Sequence, residues 1–481
     1  MGAIMNFSDK DIEQIKSHDL SVSEIENQIQ KFQSGFPFIN IVKPAQLNDG
    51  IIECENTDEY IKKYQDYATN HKIVKFVPAS GAATRMFKDL FDFVATNNKN
   101  ETVEKTLSGL KDFAFYEDLQ KYISENSSET EIINSILSVP GLNYGNLPKG
   151  LVKFHKYENI SKTPVEEHLT EGAEYASSQN NVNIHFTISP EHRNGFNELL
   201  SRVIPEYENK YGLKYNISMS EQKKSTDTIA VNPDNTLFRN ADGSLLFRPA
   251  GHGALIANLS DIDADLIFIK NIDNVTTENQ RGDTIKYKQV LAGILVDLQK
   301  QIFDLLKSDN ADVDTYHEFI TNKLNIKFDK KLTLDEYRKI LNRPLRVCGV
   351  VKNTGAPGGG PFWVMDENGT VSLQIVESSQ IAPESKHIMQ ESSYFNPVDL
   401  VCATKDYMGN KFDLNEYIDE NTGFISEKSK NGVPLRAMER PGLWNGAMAK
   451  WNTVLVAVPG TTFTPVKVVS DLLSTPHQTK K

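Results

Sequence analysis

The sequence predicts an α/β fold built on an open sheet, with a helical arm before it and a β-rich C-terminal part after it. Two observations indicate this class. Nearly continuous apolar segments of strand length alternate with helical patterns after residue 147, and such strands suit a sheet that helices cover on both faces. The 481 residues also exceed what one typical core supports, so two or three subdomains are expected.

The N-terminal region, residues 1–70, is predicted to be a helical arm. Its segments DKDIEQIKS and VSEIENQIQKF carry apolar residues three and four positions apart, and Ser21 or Ser23 is expected to cap the second helix. The core is predicted over residues 71–340, with the polar, helical stretch at about 98–146 as an insertion in it.

Strands and helices alternate within the predicted core. The strand signals are NIHFTIS (183–189), YNISMS (215–220) and DLIFIKNID (265–273), and a long helix is predicted at 287–307. This repeated order of strand and then helix indicates a Rossmann-like core. Beyond residue 344 strands and turns dominate, so residues 341–481 are predicted to complete the core.

Composition and charge exclude several classes of protein. The net charge is −12, so no surplus of Lys and Arg could neutralise a nucleic-acid backbone, although a small phosphorylated substrate needs only a few local cations. No apolar run approaches the roughly 20 residues that span a bilayer, and no secretory signal opens the chain. A cytoplasmic protein is therefore expected, and its three widely spaced cysteines are expected to be reduced core thiols.

Residues 76–87, FVPASGAATRMF, join a strand to a helix through small residues. Gly81 allows a positive φ or a close backbone approach, and Ser80 leaves backbone amides accessible. Amides at a helix start favour an anion, and Arg85 adds a bidentate phosphate donor. Two interpretations stay open at this point: a phosphate loop, or a compact turn with Arg85 in solvent.

The apolar strand at 265–273 ends in Asp273, between Asn271 and Asn274. A carboxylate there suits a Mg²⁺ that keeps several waters and takes its other ligands from phosphate, but a turn cap is equally compatible with the pattern. Lys270 is expected to point away or to pair locally. EEHLTE (166–171) has no second histidine, so we interpret it as a solvated helix face.

Two glycine turns carry a candidate histidine and a candidate lysine. In FRPAGHGALIANL, Gly251 and Gly253 let His252 and the backbone come close to a ligand. In LPKGLVKFH, Lys149 follows a proline in a turn, where a fixed cation could meet a phosphate. Read alone, a single histidine is more often structural and a Pro-Lys-Gly is usually a surface turn.

The order of these motifs resembles that of the UDP-sugar pyrophosphorylases, the uridylyltransferases that act on hexose 1-phosphates. That family has a glycine-rich loop ending in Gly-Thr-Arg, then Pro-Lys-Gly, Gly-His-Gly and a strand ending in Asn-x-Asp-Asn. The corresponding segments occur here in the same order: Thr84-Arg85, Pro148-Lys149-Gly150, Gly251-His252-Gly253 and Asn271-Ile272-Asp273-Asn274.

Three C-terminal segments extend the resemblance. SLQIVESSQI is similar to the family's Leu-Glu-x-x-Gln segment and places Glu377 at a sugar contact, and YFNPVDLV places Asn396 near the sugar. TFTPVKVVSDLL is similar to the Phe-x-Pro-Val-Lys…Asp-Leu-Leu run, with Lys467 as a phosphate contact. Gln222 is placed at the base-recognition glutamine. One departure is Ser80-Gly81-Ala82-Ala83 in place of Gly-Gly-x-Gly, which indicates a divergent branch.

The resemblance implies a nucleotidyltransferase-like (GT-A or Rossmann-like) mixed sheet and the formation of a nucleotide-sugar and pyrophosphate. The expected partners are a nucleoside triphosphate, UTP by preference, and a sugar 1-phosphate, with Mg²⁺ as cofactor and a monomer favoured. The catalytic residues implied are Arg85, Lys149 and Lys467. The substrate-binding residues implied are Ser80, Gly81, Thr84, Gln222, Gly251, His252, Gly253, Glu377 and Asn396. Asp273 is the implied metal ligand.

Two other functions remain on the same evidence. The missing loop glycines are compatible with a non-catalytic protein that binds a nucleotide or nucleotide-sugar on this fold. A Rossmann-type oxidoreductase is disfavoured, because no G-x-G-x-x-G follows the first strand of the core.

Overall fold

A computed structural model describes residues 7–355 and 359–479. Its N-terminal third is mostly helical, and the first two helices begin with capping boxes, at Ser8 and at Ser21. The elements of this part are α1 (Asp9–Ser17), α2 (Val22–Ser34), β1 (Ile41–Pro44), β2 (Gln46–Leu47), β3 (Gly50–Ile52), α3 (Thr57–Ala68), β4 (Ile73–Pro78), α4 (Lys88–Thr96), α5 (Glu101–Ser108), α6 (Tyr116–Leu119) and α7 (Glu129–Leu137).

The middle of the chain alternates strands and helices. Its elements are β5 (His155–Lys156), β6 (Ser161–Lys162), α8 (Pro164–Tyr175), β7 (Ser177–Ser178), β8 (Asn181–Ile188), α9 (Arg193–Tyr211), β9 (Lys214–Glu221), β10 (Thr228–Val231), β11 (Phe247–Arg248), α10 (Ile256–Asp261), β12 (Leu266–Lys270), α11 (Gly282–Lys307), α12 (Val313–Lys323) and α13 (Leu334–Leu341). The predicted strands at 183–189, 215–220 and 265–273 correspond to β8, β9 and β12.

The C-terminal part is rich in strands, as expected. Its elements are β13 (Leu345–Lys352), β14 (Gly360–Met365), β15 (Val371–Val376), α14 (Lys386–Gln390), β16 (Tyr394–Phe395), β17 (Asp399–Ala403), β18 (Phe424–Lys430), β19 (Val433–Glu439) and β20 (Asn452–Ala457).

The central sheet is mixed, which confirms the predicted mixed α/β class. Its main path runs β2-β3-β20-β13-β17-β12-β4-β8-β7, and β9 and β16 pair with β8 and β13. Strand β4 is parallel to both of its neighbours, β8 and β12, whereas β17 is antiparallel to β12 and β13. The chain leaves β4 for β8 and β9 on one side and returns to β12 on the other. The strand order therefore reverses between β4 and β12.

Two apolar cores cover the faces of this sheet. On one face α11, α3, α12 and α13 pack against residues such as Phe268 and Val347. On the other face α10, β14, β15 and residues 443–451 pack against residues such as Phe76 and Leu400. Burial on both faces explains why β4, β12 and β17 are mostly apolar, with one charged residue in each.

Residues 7–70 differ from the helical arm that we predict. Helices α1 and α2 pack on a four-stranded sheet of order β11-β10-β19-β18. In the same region β1 pairs with β14, and β2 and β3 join the edge of the central sheet. Strands of two to four residues gain their stability from these distant partners, so a local sequence pattern does not reveal them.

Two further predictions concern the whole chain. In the part that the structure describes, every helix is too short or too polar to cross a membrane. Cys54, Cys348 and Cys402 are free thiols, the last two of them buried.

Candidate active site

The candidate site lies at the carboxyl ends of β4 and β12, where the strand order reverses. In open α/β sheets ligands bind in the crevice at such a reversal. The loop that follows β4 begins here, and so does the Asn271–Asn274 turn that follows β12. The two are joined at their base, because the N–H of Ile272 donates to the carbonyl of Pro78 at 3.2 Å.

The loop after β4 is open to solvent. Ser80, Gly81, Thr84 and Arg85 are exposed, and Arg85 forms no hydrogen bond or ion pair with any residue in the described ranges. The expectation of a positive φ at Gly81 is wrong: its φ lies outside that region, and a Cβ there would meet nothing within 4 Å. The structure therefore has room for a side chain at this position and does not itself require a glycine.

The start of the next helix also differs from expectation. Residues Ala83–Arg85 form a 3₁₀ turn, and α4 begins only at Lys88. The exposed amides that could meet an anion therefore belong to the loop and not to the first turn of α4.

The Pro-Lys-Gly turn pairs directly with this loop. The N–H of Ala83 donates to the carbonyl of Leu147 at 3.0 Å, and the N–H of Lys149 donates to the carbonyl of Gly81 at 3.2 Å. Gly150 is closely packed, because a Cβ there would lie 3.2 to 3.3 Å from side-chain atoms of Phe196 and Ile272. Two motifs that are far apart in sequence thus form one unit.

Lys149 and Asp273 form an ion pair at the centre of the site. The Nζ of Lys149 lies 2.7 Å from the Oδ2 of Asp273 and 2.7 Å from the carbonyl oxygen of Val466. The two side chains are 14% and 19% exposed, so water screens the pair only in part. The N–H of Val466 also donates to the carbonyl of Asp273 at 3.3 Å.

Val466 belongs to a segment that we call the C-terminal strap, residues 462–478. Its first part is held by Asn274, whose Oδ1 accepts from the N–H of Thr464 at 2.9 Å. Lys467 is exposed on the strap. Its backbone N–H donates to the Oδ2 of Asp471 at 2.7 Å, while its ammonium lies 6.0 Å from the centroid of the Phe463 ring. Among the described residues Lys467 forms no ion pair, and its backbone directly follows Val466, whose carbonyl accepts from Lys149.

The Gly-His-Gly turn lies in a second cluster, and its glycines are needed by geometry. Gly251 has a φ of 76°, and a Cβ at Gly253 would lie 2.1 Å from the carbonyl oxygen of Pro441. The ring of His252 stacks on Trp444 at 4.2 Å between centroids. Its Nδ1 accepts from the N–H of Leu443 at 3.1 Å. This turn is therefore rigid.

Glu377 faces His252 in the same cluster. The Oε1 of Glu377 lies 3.6 Å from the Nε2 of His252 and accepts from the Nδ2 of Asn445 at 2.5 Å. The nearby imidazole of His252 lowers the pKa of Glu377, and burial opposes this. The carboxylate is thus held ionised for a hydroxyl or amide donor. Trp444 and Asn445 were missed at the level of sequence, where only a Trp-Asn pair in a Pro/Gly-rich turn could have indicated them.

Asn396 and Gln222 are not brought into either cluster by a hydrogen bond. The amide of Asn396 is buried, donates to the carbonyl of Gly349 at 2.9 Å and accepts from the N–H of Val398 at 3.2 Å. Val398 has a φ of 57°, which is unusual for a β-branched residue, so Asn396 supports a strained turn. Gln222 follows β9 and lies 3.5 Å from the Oδ1 of Asp227.

The interpretation of EEHLTE as a solvated helix face is wrong. These residues form part of α8, whose Glu167, His168 and Glu171 are fully buried. The Nε2 of His168 lies 3.2 Å from the carbonyl oxygen of Ile272, so α8 contacts the turn that carries Asp273.

Glu171 explains how a polar helix can be buried. It accepts from the Nζ atoms of Lys75 and Lys270, each at 2.7 Å, and these belong to the two strands that flank the reversal. Burial lowers the pKa of Lys75 to about 7. Lys270 and Lys75 lower the pKa of Glu171 well below its ordinary value, although burial opposes them. Lys270 therefore does not point away: it pairs beneath the site.

Comparison with known proteins gives a family and distant structural similarities. The protein-family model described as "Domain of unknown function (DUF4301)" matches residues 8–478. No curated protein matches the chain.

Several solved structures are similar over nearly the whole chain. A mutant of UDP-glucose pyrophosphorylase from Leishmania major is 13% identical, with a TM-score of 0.47, over 97% of this chain and 79% of that one. A UDP-glucose phosphorylase from Trypanosoma brucei is 15% identical, with a TM-score of 0.47, over 98% and 80%. The uridine diphosphate N-acetylglucosamine pyrophosphorylase from Trypanosoma brucei is 10% identical, with a TM-score of 0.49, over 98% and 85%. Similarities this low assign no function to the chain.

Proposed function

The chain belongs to the family described as Domain of unknown function (DUF4301), and we propose that it is a nucleotidyltransferase that joins a nucleoside triphosphate to a sugar 1-phosphate. UTP is the nucleotide that we favour, and the products are a nucleotide-sugar and pyrophosphate. The proposal rests on the residues of the site and on the motif order that resembles the UDP-sugar pyrophosphorylases.

One observation carries the proposal. Four segments from distant parts of the sequence meet at the reversal of the sheet: the loop after β4, the Pro-Lys-Gly turn, the turn after β12 and the strap. They contribute an exposed loop, Lys149 on the carboxylate of Asp273, and two exposed cations on the adjoining segments, Arg85 and Lys467. Cations and amides in this arrangement suit a triphosphate, whose charge they would neutralise.

The chain's own residues would act by positioning and by neutralising charge. A phosphate oxygen of the sugar 1-phosphate attacks the α-phosphorus, the α–β phosphoanhydride bond breaks, and pyrophosphate leaves with the bonding electrons. No protein nucleophile takes part. Arg85 and the loop amides would hold the β- and γ-phosphates, and Lys149 and Lys467 would stabilise charge on the reacting phosphates. The cluster of His252 and Glu377 would face the nucleotide and the sugar hydroxyls.

The residues present fit a Mg²⁺ that arrives with the nucleotide. Asp273 offers a carboxylate at a strand end, and Mg²⁺ takes few protein ligands when substrate phosphates supply the rest. In the described ranges no group of three or more His, Cys, Asp or Glu residues could hold an ion without such phosphates. The ion would neutralise phosphate charge. Lys149 must first release Asp273, and the incoming phosphates offer it a new partner.

A screen for pyrophosphate release tests the proposal. Nucleoside triphosphates are combined with sugar 1-phosphates in the presence of Mg²⁺, with wild-type protein and with Asp273→Asn. Turnover by the wild type and none by the variant would support the proposal. Absence of turnover with every pair would contradict it.

A second function is favoured by the ion pair itself. Lys149 neutralises Asp273, which suits a protein that binds a nucleotide or nucleotide-sugar without metal and without turnover. In that case UTP would raise the melting temperature of the protein, and neither pyrophosphate release nor pyrophosphate exchange would be detected.

A further inference from the structure

A buried chain of three ionisable side chains connects α8 to the C-terminal strap. The Oε1 of Glu167 lies 2.9 Å from the Nδ1 of His155, and the Nε2 of His155 lies 2.9 Å from the Nδ1 of His477. None of the three is more than 2% exposed. None of them has a part in the reaction proposed above, so their burial needs another reason.

Glu167, the first of these three side chains, is itself held in place by further hydrogen bonds. Glu167 also accepts from the hydroxyl of Tyr157 at 2.8 Å and from the Nη2 of Arg281 at 2.5 Å. With three polar partners and no exposure it cannot rotate freely, so it fixes His155. His155 in turn presents one ring nitrogen to the strap.

The strap is attached at both of its ends to the segment after Asp273. Near its start, Val466 and Thr464 bond to Asp273 and Asn274. Near its end, the carbonyl of Pro476 accepts from the N–H of Thr277 at 3.0 Å and from its neighbour Thr276. Among the described residues, His477 makes the one hydrogen bond of the strap to the Glu167–His155 pair. Lys467 lies between the two attachments.

We propose that Glu167, His155 and His477 are positioning residues that lock the far end of the strap and thereby hold Lys467 at the site. The catalytic part of this inference rests on the proposed function, whereas the lock itself does not. Removing the lock leaves the near attachment at residues 464–466, the hydrogen bond from the N–H of Val469 to the carbonyl of Met86 and the bonds to Pro476 intact, so what is lost is the tie to α8. The strap then gains freedom, and its cation is less often in place when the phosphates react.

Two variants of His477 distinguish a role in hydrogen bonding the strap to His155 from a role in packing alone. His477→Asn keeps a hydrogen-bonding nitrogen or oxygen near the position of Nδ1, and His477→Leu removes it. His317→Leu is the matched control. His317 lies in α12, outside the site, and its Nδ1 is hydrogen bonded to the hydroxyl of Tyr337 at 2.7 Å. Amide hydrogen exchange of the full chain is measured over residues 463–477. We expect faster exchange there in His477→Leu, and exchange close to wild type in His477→Asn and His317→Leu.

A double variant tests the action through Lys467. His477→Leu should lower kcat on the order of 10- to 100-fold with a small change in KM, as for a misplaced catalytic group. In the Lys467→Ala background it should cause little further loss, because the group that it positions is already gone. His477→Asn should retain most of the rate.

The outcomes are distinguishable. Unchanged strap exchange in His477→Leu overturns the lock, and losses that multiply in the double variant overturn its action through Lys467. A wild type without turnover refutes the proposed function and the positioning role together, while exchange still decides whether the lock exists.

Discussion

The Lys149–Asp273 pair decides how the site can work. In the absence of substrate, the Nζ of Lys149 lies 2.7 Å from the Oδ2 of Asp273 and neutralises the carboxylate. A nucleotide would bring both a new anion for Lys149 and a metal for Asp273. An exchange of partners costs little, since neither charge is left unpaired and buried at any stage. On this reasoning metal and nucleotide bind together, and metal alone binds weakly.

Asp273→Asn should abolish Mg²⁺-dependent turnover and leave the fold in place. The amide oxygen of asparagine still accepts a hydrogen bond from Lys149, but it lacks the charge that holds Mg²⁺. Pyrophosphate release and thermal melting are measured side by side. The matched control is Asp265→Asn, at the opposite end of β12, where Asp265 pairs with Lys405 at 2.9 Å. Full activity in Asp273→Asn would contradict the metal assignment.

Lys149 and Lys467 should differ in stability but not in catalysis. Each change to alanine should lower kcat about 100-fold, which is about 3 kcal/mol, as for one preorganised donor. Lys149→Ala should also lower the melting temperature, because it leaves Asp273 and the Val466 carbonyl without their donor. Lys467 is exposed, so its loss should leave melting unchanged. Wild-type rates in both variants would show that neither lysine acts on substrate.

Lys149→Met offers a second measurement on the same pair. With its competitor gone, Asp273 should bind Mn²⁺ more tightly in the absence of nucleotide than the wild type does. Titration calorimetry, or the Mn²⁺ electron-paramagnetic-resonance signal, measures this directly. Equal affinity in the two proteins would mean that Lys149 does not compete with a metal.

At the scale of elements, the strands could be predicted from the sequence, whereas the burial of the polar side chains of α8 could not. Strands β8, β9 and β12 are recognisable because apolar runs of strand length are typical of a covered sheet. The order of the motifs also led to Lys149 and Asp273. In contrast, the role of the Val466 carbonyl could not be predicted from the sequence, because every residue has a backbone carbonyl. The burial of α8 depends on Lys75 and Lys270, which lie outside any local window.

Helix α8 should depend on one carboxylate for its burial. Glu171→Gln removes the carboxylate that pairs with both Lys75 and Lys270, and an uncompensated buried charge costs about 3 to 5 kcal/mol. Urea unfolding followed by circular dichroism measures the loss. Glu117→Gln is the control, because Glu117 is exposed and pairs with Lys156 only at the surface. A change below about 1 kcal/mol in Glu171→Gln would mean that the two lysines do not bear charge together.

At the scale of the whole molecule, the strap and the N-terminal residues 7–70 each complete the packing of another part of the fold. The N-terminal helices complete the small sheet of β10, β11, β18 and β19, while the strap packs Val466, Val469 and Leu472 into the core of the helical segment around α4, α5 and α7. Contacts between distant parts of a chain make unfolding cooperative. A change at a buried strap residue should therefore be visible in global stability.

The pH dependence of unfolding should report His477. Burial, together with the nearby charge of His155, lowers the pKa of His477 from 6.5 to about 3 in the folded chain. Between these two values the unfolded chain binds a proton that the folded chain does not, so stability falls as pH falls. At pH 5 this one group should cost about 2 kcal/mol relative to pH 8, an upper figure that assumes an ordinary unfolded pKa.

The variant His477→Asn isolates that contribution, because asparagine does not titrate. Chemical unfolding is measured for both proteins at pH 8, 6.5 and 5, a range that lies above the ordinary pKa values of carboxylates. The wild type should lose stability relative to the variant as pH falls, mostly below pH 6.5. The groups that face His477 are His155 and Glu167, and both proteins contain them. Parallel curves for the two proteins would show that His477 takes up its proton as readily in the folded state as in the unfolded one, and would contradict its burial as a neutral ring.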